Sequence, residues 1–192
     1  MSLHVSPDLI ERFPDFYPFA LGGNVPAEPA LIVENVDDDT LANAVRGRLD
    51  AVCVIVRDSL QLRTLAPLAM LHDLQWVGVW KCPNLCELWQ MSATPAVRGI
   101  AFTGCKRVND FSALAGAHGL EHLLVENRPW DNVQLKSLVP LRGLSEIRTL
   151  DLGCRKVLDK EKLDFRAAFP HLASLTITPG MRRSLITPGD KK

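Results

Sequence analysis

The chain has 192 residues, of which 47% are hydrophobic, so one domain with one buried core is expected at this length. The 22 basic residues balance the 22 acidic residues, so no net charge draws the chain to nucleic acid or to an anionic membrane. The N-terminus lacks a signal-peptide pattern, and no apolar run approaches the ~18 residues of a membrane span. Five cysteines favour free thiols in a reducing compartment. We therefore expect a cytoplasmic protein.

The first 29 residues combine aromatic residues with prolines. They include Phe13, Phe16, Tyr17 and Phe19 together with Pro14, Pro18, Pro26 and Pro29. This composition predicts an irregular N-terminal arm or cap, residues 1–29, whose aromatic side chains cover the first structural unit that follows. Docking of these aromatics onto a partner is the alternative.

A β-α-β unit is predicted next. Asp38 or Asp39 is the expected N-cap of a helix through residues 40–46, with Leu41, Ala44 and Val45 on its apolar face. The flanking strands are expected near 31–35 and 51–56, and crossovers of this kind are almost always right-handed.

Six later segments share one pattern: an apolar residue, two others, then apolar, any, apolar. They are Leu49/Val52/Val54, Leu74/Val77/Val79, Val97/Ile100/Phe102, Leu120/Leu123/Val125, Ile147/Leu150/Leu152 and Leu172/Leu175/Ile177. The central residues are 25, 23, 23, 27 and 25 positions apart. A weaker seventh unit precedes them at 30–33. The alternation predicts a short strand in each unit. Between the strands, apolar residues in steps of three predict short helical or 3₁₀ returns.

These units resemble leucine-rich repeats of the short bacterial or intracellular type. Cys82 and Cys105 hold the ninth position, where an Asn or Cys side chain bonds the backbone of the turn, whereas Arg128 and Arg155 depart from the pattern. The resemblance implies an α/β fold: a right-handed β-α solenoid of six to seven repeats over residues 30–178, with a concave parallel sheet and short helical or 3₁₀ returns. Residues 179–192 are expected to form a tail with little to bury.

The resemblance also implies protein binding through the concave sheet. Trp76 and Trp80 flank the inward-pointing Val77 and Val79 on one strand, with Gly78 between them, so both tryptophans point outward. Parallel strands lie ~4.8 Å apart, so the outward residues of neighbouring strands form a patch on the order of 15 Å across. The predicted partner-binding residues are Trp76, Trp80, Thr103, His122, Leu124, Glu126 and Asp151. Aromatic side chains among small neighbours with a charged rim are typical of a protein-binding hot spot. The open alternative is that the N-terminal arm folds into the groove and covers the tryptophans.

Catalytic signals are weak. No phosphate-binding loop, dinucleotide fingerprint or nucleophile elbow is present in the sequence. Cys82 and Cys86 form CxxxC without a second pair, and His118 and His122 straddle a turn, so neither pair predicts a metal site. We expect a non-enzymatic protein that binds another protein, with no cofactor, metal, nucleic-acid or membrane partner, and a monomer is favoured.

Two alternatives stay open. The first is a small metal- or thiol-dependent enzyme that uses His122 with Cys53 or Cys105. The second is a structural scaffold that self-associates through a strand edge or through the tryptophans.

Overall fold

The computed structural model describes residues 7–13, 16–20, 25–127, 133–159, 161 and 163–177. Within these ranges the protein is α/β, with one seven-stranded parallel sheet and short helices. The sheet contains β1 (Ala30–Glu34), β2 (Cys53–Arg57), β3 (Trp76–Trp80), β4 (Gly99–Thr103), β5 (His122–Glu126), β7 (Thr149–Leu152) and β9 (Ser174–Ile177), paired in that order. β6 (Gln134–Leu135) and β8 (Lys156–Val157) form a separate parallel pair. The predicted parallel sheet is confirmed.

The strand register corrects the first predicted repeat. Val54, not Val52, lies opposite Val77, and Val54 also lies opposite Leu31 of β1. Leu49, predicted to start this unit, is 54% exposed, whereas Ala51 is fully buried in its place. The predicted and the observed register both place large apolar residues at the second and third apolar positions of the pattern. The two registers differ by two residues, so every side chain stays on the same face of the sheet. Because Ala51 is small, the apolar pattern favoured the wrong register. In the observed register, each of the first four steps from one strand to the next is 23 residues long.

Short 3₁₀ helices connect the strands, as the apolar steps of three predicted. They span Ala66–Met70, Met91–Ala93, Ser112–Gly116 and Val139–Gly143. Each buries at least one apolar side chain, such as Leu68 or Leu141, against the inner side of the sheet. Pro67 and Pro140 lie in the first turn, where a missing backbone N–H costs nothing.

The α-helices are also short: α1 (Pro7–Arg12), α2 (Phe16–Ala20), α3 (Asp38–Arg46) and α4 (Phe165–Ala168). Helix α3 is the predicted crossover helix, but its N-cap is Asp37, whose carboxylate accepts the Thr40 N–H at 2.8 Å. The prediction of Asp38 or Asp39 as the cap was wrong by one residue. The buried face of Leu41 and Val45 is confirmed. No helix in the described ranges has the length and apolar character of a membrane span.

A repeated turn follows each of the first four strands. Its first residue has positive φ, at Asn35 (55°), Asp58 (49°), Lys81 (55°) and Gly104 (69°). The backbone N–H of each donates to the last carbonyl of the next strand at 2.8–3.2 Å. The left-handed conformation turns the chain away from the strand while keeping this bond, and Asn, Asp and Gly adopt it at little cost.

In three of these turns the residue after the positive-φ position forms a ladder of side-chain hydrogen bonds to the backbone. The Cys82 thiol donates to the Trp80 carbonyl at 3.5 Å, and the Cys105 thiol donates to the Val79 carbonyl at 3.5 Å. Ser59 takes the same place one unit earlier, donating to the Arg57 carbonyl at 2.8 Å. Arg128 lies outside the described residues. In the unit that contains β7, Arg155 at the predicted ladder position is exposed, whereas its neighbour Cys154 is buried.

Candidate functional site

The outer face of the sheet carries the predicted binding residues, and we name it the tryptophan face. Its side chains form three rows that cross the strands. The first row is Ala30, Cys53, Trp76, Gly99, His122, Thr149 and Ser174; the second is Ile32, Ile55, Gly78, Ala101, Leu124, Asp151 and Thr176; the third is Glu34, Arg57, Trp80, Thr103 and Glu126. The seven residues predicted from the sequence to bind a partner all lie in these rows.

Glycines give the two tryptophans room to lie flat on the sheet. A Cβ at Gly78 would lie 2.1 Å from the Trp80 ring, and a Cβ at Gly99 would lie 2.4 Å from the Trp76 ring. Both distances are far below van der Waals contact, so any larger residue would push an indole off the sheet. The small side chains thus shape a flat aromatic floor in the centre of the face.

Helix α2, which we name the aromatic segment (Phe16–Ala20), lies on this floor. Phe19 packs edge-on against Trp76 and Trp80, with ring centroids 5.9 and 5.7 Å apart. Phe16 stacks on His122 at 4.7 Å. The Trp80 Nε1–H donates to the Ala20 carbonyl at 3.3 Å. Of the two alternatives left open by the sequence, the covered groove is the one found here.

Burial follows from this cover. Trp76 is 4%, Trp80 9% and Asp151 6% exposed, and Leu124 and His122 are also buried. Thr103 and Glu126 are half-buried at the rim. The predicted residues therefore share one face, yet the aromatic segment must move before a partner can reach most of them.

A polar group of side chains lies at the β7–β9 end of the face. His122 Nδ1 is 3.0 Å from the Thr149 hydroxyl oxygen, and Tyr17 donates its hydroxyl proton to Ser174 Oγ at 3.4 Å. The Thr149 hydroxyl also lies near the Tyr17 hydroxyl. Asp151 completes the group. Thr149, Ser174 and Tyr17 were not among the predicted site residues, because only the placement of Tyr17 reveals what they contact.

Burial controls the protonation of this polar group. It lowers the pKa of His122 from 6.5 to about 4, so the imidazole is neutral at neutral pH. Burial, with the Glu126 carboxylate nearby, raises the pKa of Asp151 from 3.8 to about 7. Burial likewise raises the pKa of Tyr17 and that of Glu126. The end of the face therefore offers neutral hydrogen-bonding groups bordered by carboxyls.

The residues of the enzyme alternative are not brought together. Cys53 and His122 share a row but are separated by two strands, which is roughly 14 Å at ~4.8 Å per strand. Cys105 packs in the inner core, on the other side of the sheet. Burial raises the pKa of the Cys53 thiol to about 12, which disfavours the nucleophilic thiolate.

The two residue pairs considered as metal ligands, Cys82 with Cys86 and His118 with His122, are also split. Cys82 is buried and Cys86 exposed, and His118 is exposed whereas His122 is buried. Among the described residues, no three His, Cys, Asp or Glu side chains are grouped as a metal site.

A groove of about 860 Å³ lies at the turn edge, between the start of α3 and the turns after β2 and β3. Two of its three acidic residues have structural partners. Asp37 caps α3, and Asp38 accepts the backbone N–H groups of Arg63 and Thr64 at 2.8 and 3.2 Å. The groove is therefore explained by the packing of α3.

Neither a protein-family model nor a curated protein matches this chain. The chemistry of the tryptophan face is therefore the basis for a functional proposal.

Proposed function

We propose that this chain is a leucine-rich-repeat solenoid that binds another protein through the tryptophan face after the aromatic segment moves aside. The 23-residue spacing, the 3₁₀ returns and the Cys82 and Cys105 ladder support the assignment to this repeat class. Solenoids of this kind use an extended sheet face as a binding surface.

One observation carries the proposal: the apolar side chains form two separate clusters. The inner cluster contains the strand and 3₁₀ leucines and valines but no residue of the aromatic segment. The outer cluster joins that segment to Trp76, Trp80, Ile55 and Leu124. The folded body therefore closes its core without residues 16–20, and the segment acts as a cover on an otherwise complete sheet.

The cover also has a weak polar attachment. Its hydrogen bonds to the sheet in the described ranges are long, 3.4 Å at Tyr17 and 3.3 Å at Ala20. Its apolar contacts contribute more than these hydrogen bonds to holding the segment on the sheet, because each aromatic side chain buries ~150–250 Å². A cover tethered to the same chain has an effective concentration in the mM range, so a partner displaces it by making better contacts.

Uncovering would expose a surface of binding-site composition. Two indoles, Ile55, Ala101 and Leu124 form its apolar centre, and Arg57 and Glu126 lie at its rim. Apolar centres with aromatic anchors and charged rims are typical of protein interfaces. Covering such a patch in the free protein limits aggregation.

The test uses an opened variant, the full chain with Phe16→Ser and Phe19→Ser. A synthetic peptide of residues 8–20 serves as the surrogate partner, and tryptophan fluorescence reports binding. We expect the opened variant to bind the peptide at least about tenfold more tightly than the wild-type chain does, because no internal segment competes. Adding Trp80→Glu to the opened variant should abolish binding while circular dichroism stays unchanged. Equal binding with Trp80 and with Glu at that position would refute the proposal.

Self-association is the second candidate. Within the described ranges β1 pairs only with β2, and Ile32 on this edge strand is 50% exposed. Exposed apolar edge strands pair readily with other chains. Light scattering over a hundredfold concentration range tests it: a mass that rises in the wild type and not in Ile32→Lys would support this candidate.

A further inference from the structure

We infer that the tryptophan face selects a protein segment with an unmodified tyrosine beside two aromatic rings three residues apart, the pattern that Phe16, Tyr17 and Phe19 supply internally. The inference rests on the proposed function, because it names the chemistry of the partner at that same face. The aromatic segment is then a built-in mimic of the partner.

The apolar part of the pattern follows from the two ring sites. Residues three apart on a helical turn project to the same side, and Phe16 and Phe19 both point at the sheet. The Phe16 ring stacks on His122 at 4.7 Å, with the planes 16° apart. The Phe19 ring meets the two indoles edge-on. Both phenylalanines are essentially inaccessible to solvent, so each ring fills its site.

The tyrosine requirement comes from the polar end of the face. Thr149 is fully buried, and Asp151 and His122 are nearly so. The Tyr17 hydroxyl reaches Ser174 and Thr149 at this end. A partner with phenylalanine at this position would cover the same polar groups without supplying a hydrogen bond. Burying such groups without a partner is unfavourable, so the face discriminates by the hydroxyl.

The charge of the polar end excludes a phosphorylated tyrosine. Asp151 and Glu126 are carboxyl groups close enough to influence each other, and His122 is neutral. The two arginines that influence His122 are both ion-paired with Glu121, Arg98 at 2.8 Å and Arg148 at 3.1 Å. Burial and the Asp151 carboxyl already raise the pKa of the Tyr17 hydroxyl, so a phosphate dianion at this position would be desolvated beside a carboxyl group, which is strongly unfavourable.

The geometry favours another protein over a second copy of this chain. A second copy would offer the same three side chains, but it would compete with an internal segment held at mM effective concentration. Its segment would make the same contacts on the face as the internal one, without the advantage of the tether. A distinct partner can add contacts at the rim, where Arg57, Thr103 and Glu126 are half-buried beside the segment.

The test compares three peptides of residues 8–20 on the opened variant by calorimetric titration: the native sequence, Tyr17→Phe, and the Tyr17 phosphopeptide. We expect the Phe peptide to bind about fivefold more weakly, as for loss of one neutral hydrogen bond. The phosphopeptide should bind at least about a hundredfold more weakly.

Matched variants of the protein assign the selectivity to named groups. Ser174→Ala in the opened variant should reduce the difference between the Tyr and Phe peptides to less than about twofold. Asp151→Asn should recover at least about tenfold of the lost affinity for the phosphopeptide, because one carboxyl is neutralised. Ser145→Ala, at an exposed turn position, should change neither ratio.

The outcomes separate the inference from the proposed function. Equal affinity for all three peptides, with binding still dependent on Trp80, would overturn the selectivity and leave the proposed function in place. Absence of binding by every peptide would overturn both. If the opened variant fails to fold, the single variant Phe19→Ser, which keeps the Phe16 contact with His122, takes its place in the same titrations. A wild-type dimer that disappears with Phe16→Ser would identify a second copy as the occupant and overturn the choice of a distinct partner.

Discussion

Phe16 and His122 lie face to face, with ring centroids 4.7 Å apart and planes 16° apart. The His122 ring is also stacked with Trp76, 6.1 Å away at 17°. The imidazole is thus packed between aromatic rings from the cover and from β3. A neutral ring fits this stack, and a charged ring would be desolvated within it. The contact therefore couples the docking of the aromatic segment to the protonation of one histidine.

Acid should loosen the cover through His122. Its pKa in the folded protein is lowered from 6.5 to about 4 by burial, which outweighs the opposing effect of Glu121. The unfolded chain therefore binds the proton more readily, and stability falls as the pH drops from about 6.5 towards 4. We expect acrylamide quenching of the tryptophan fluorescence to increase across this window in the wild type, because the cover over Trp76 and Trp80 loosens. His122→Phe should flatten the response, and His118→Phe, at an exposed position, should leave it unchanged. An identical acid response in both variants would contradict this coupling.

A rise in pH should destabilise the same region through Asp151. Its pKa is raised from 3.8 to about 7 by burial and by Glu126, so the folded state favours the neutral acid. The resulting stabilisation is present below about pH 4 and is lost as the pH rises to about 7. Asp151→Asn should therefore raise the melting temperature by several degrees at about pH 8 and change it little at about pH 4. Asp73→Asn, at an exposed turn, is the control and should do neither. A stabilisation by Asp151→Asn that is the same at both pH values would exclude this mechanism.

The glycine floor under the indoles gives a third prediction. A Cβ at position 78 would lie 2.1 Å from the Trp80 ring and 2.9 Å from the Phe19 ring. Gly78→Ala should displace Trp80 and the cover, destabilising the protein by about 1–3 kcal/mol, as overpacking does. Gly143→Ala is the matched control, because nothing lies within 4 Å of its added Cβ. Urea unfolding and tryptophan emission measure the two effects. Equal stability of the two variants would show that the floor tolerates a methyl group.

The repeat and the face assignment were predictable because both depend on local period. Alternating residues such as Trp76 and Trp80 must share a face once the strand is recognised. The register of β2 was harder to predict. Either the large Leu49 or the small Ala51 could be the first buried residue of the repeat, and only the pairing of β2 with β1 and β3 shows which one is buried. Residue size along one segment cannot supply that information.

Whether the tryptophan face is open or covered was not predictable, because the cover depends on contacts between residues more than fifty positions apart in the sequence. The aromatic residues of positions 16–19 and the indoles of β3 are all apolar, so the sequence allowed an open groove and a covered one. The Tyr17 contact with Ser174 spans 157 residues. Its existence makes Thr149 and Ser174 functional candidates, and no local signal distinguishes them from other polar residues on a strand.

The turn ladder gives the last prediction. The buried Cys105 thiol donates to the Val79 carbonyl at 3.5 Å, and it lies beside Cys82 in the same ladder. Cys105→Ala removes this donor and leaves a small cavity between two turns, so we expect a loss of about 1–2 kcal/mol in the free energy of unfolding. Cys86→Ala is the matched control, since this thiol is exposed, and it should cost less than about 0.5 kcal/mol. Urea titrations of both variants measure the difference. The ladder lies on the turns and not on the tryptophan face, so Cys105→Ala should leave peptide binding by the opened variant unaffected. A loss of binding at unchanged stability would mean that the turns and the face are coupled.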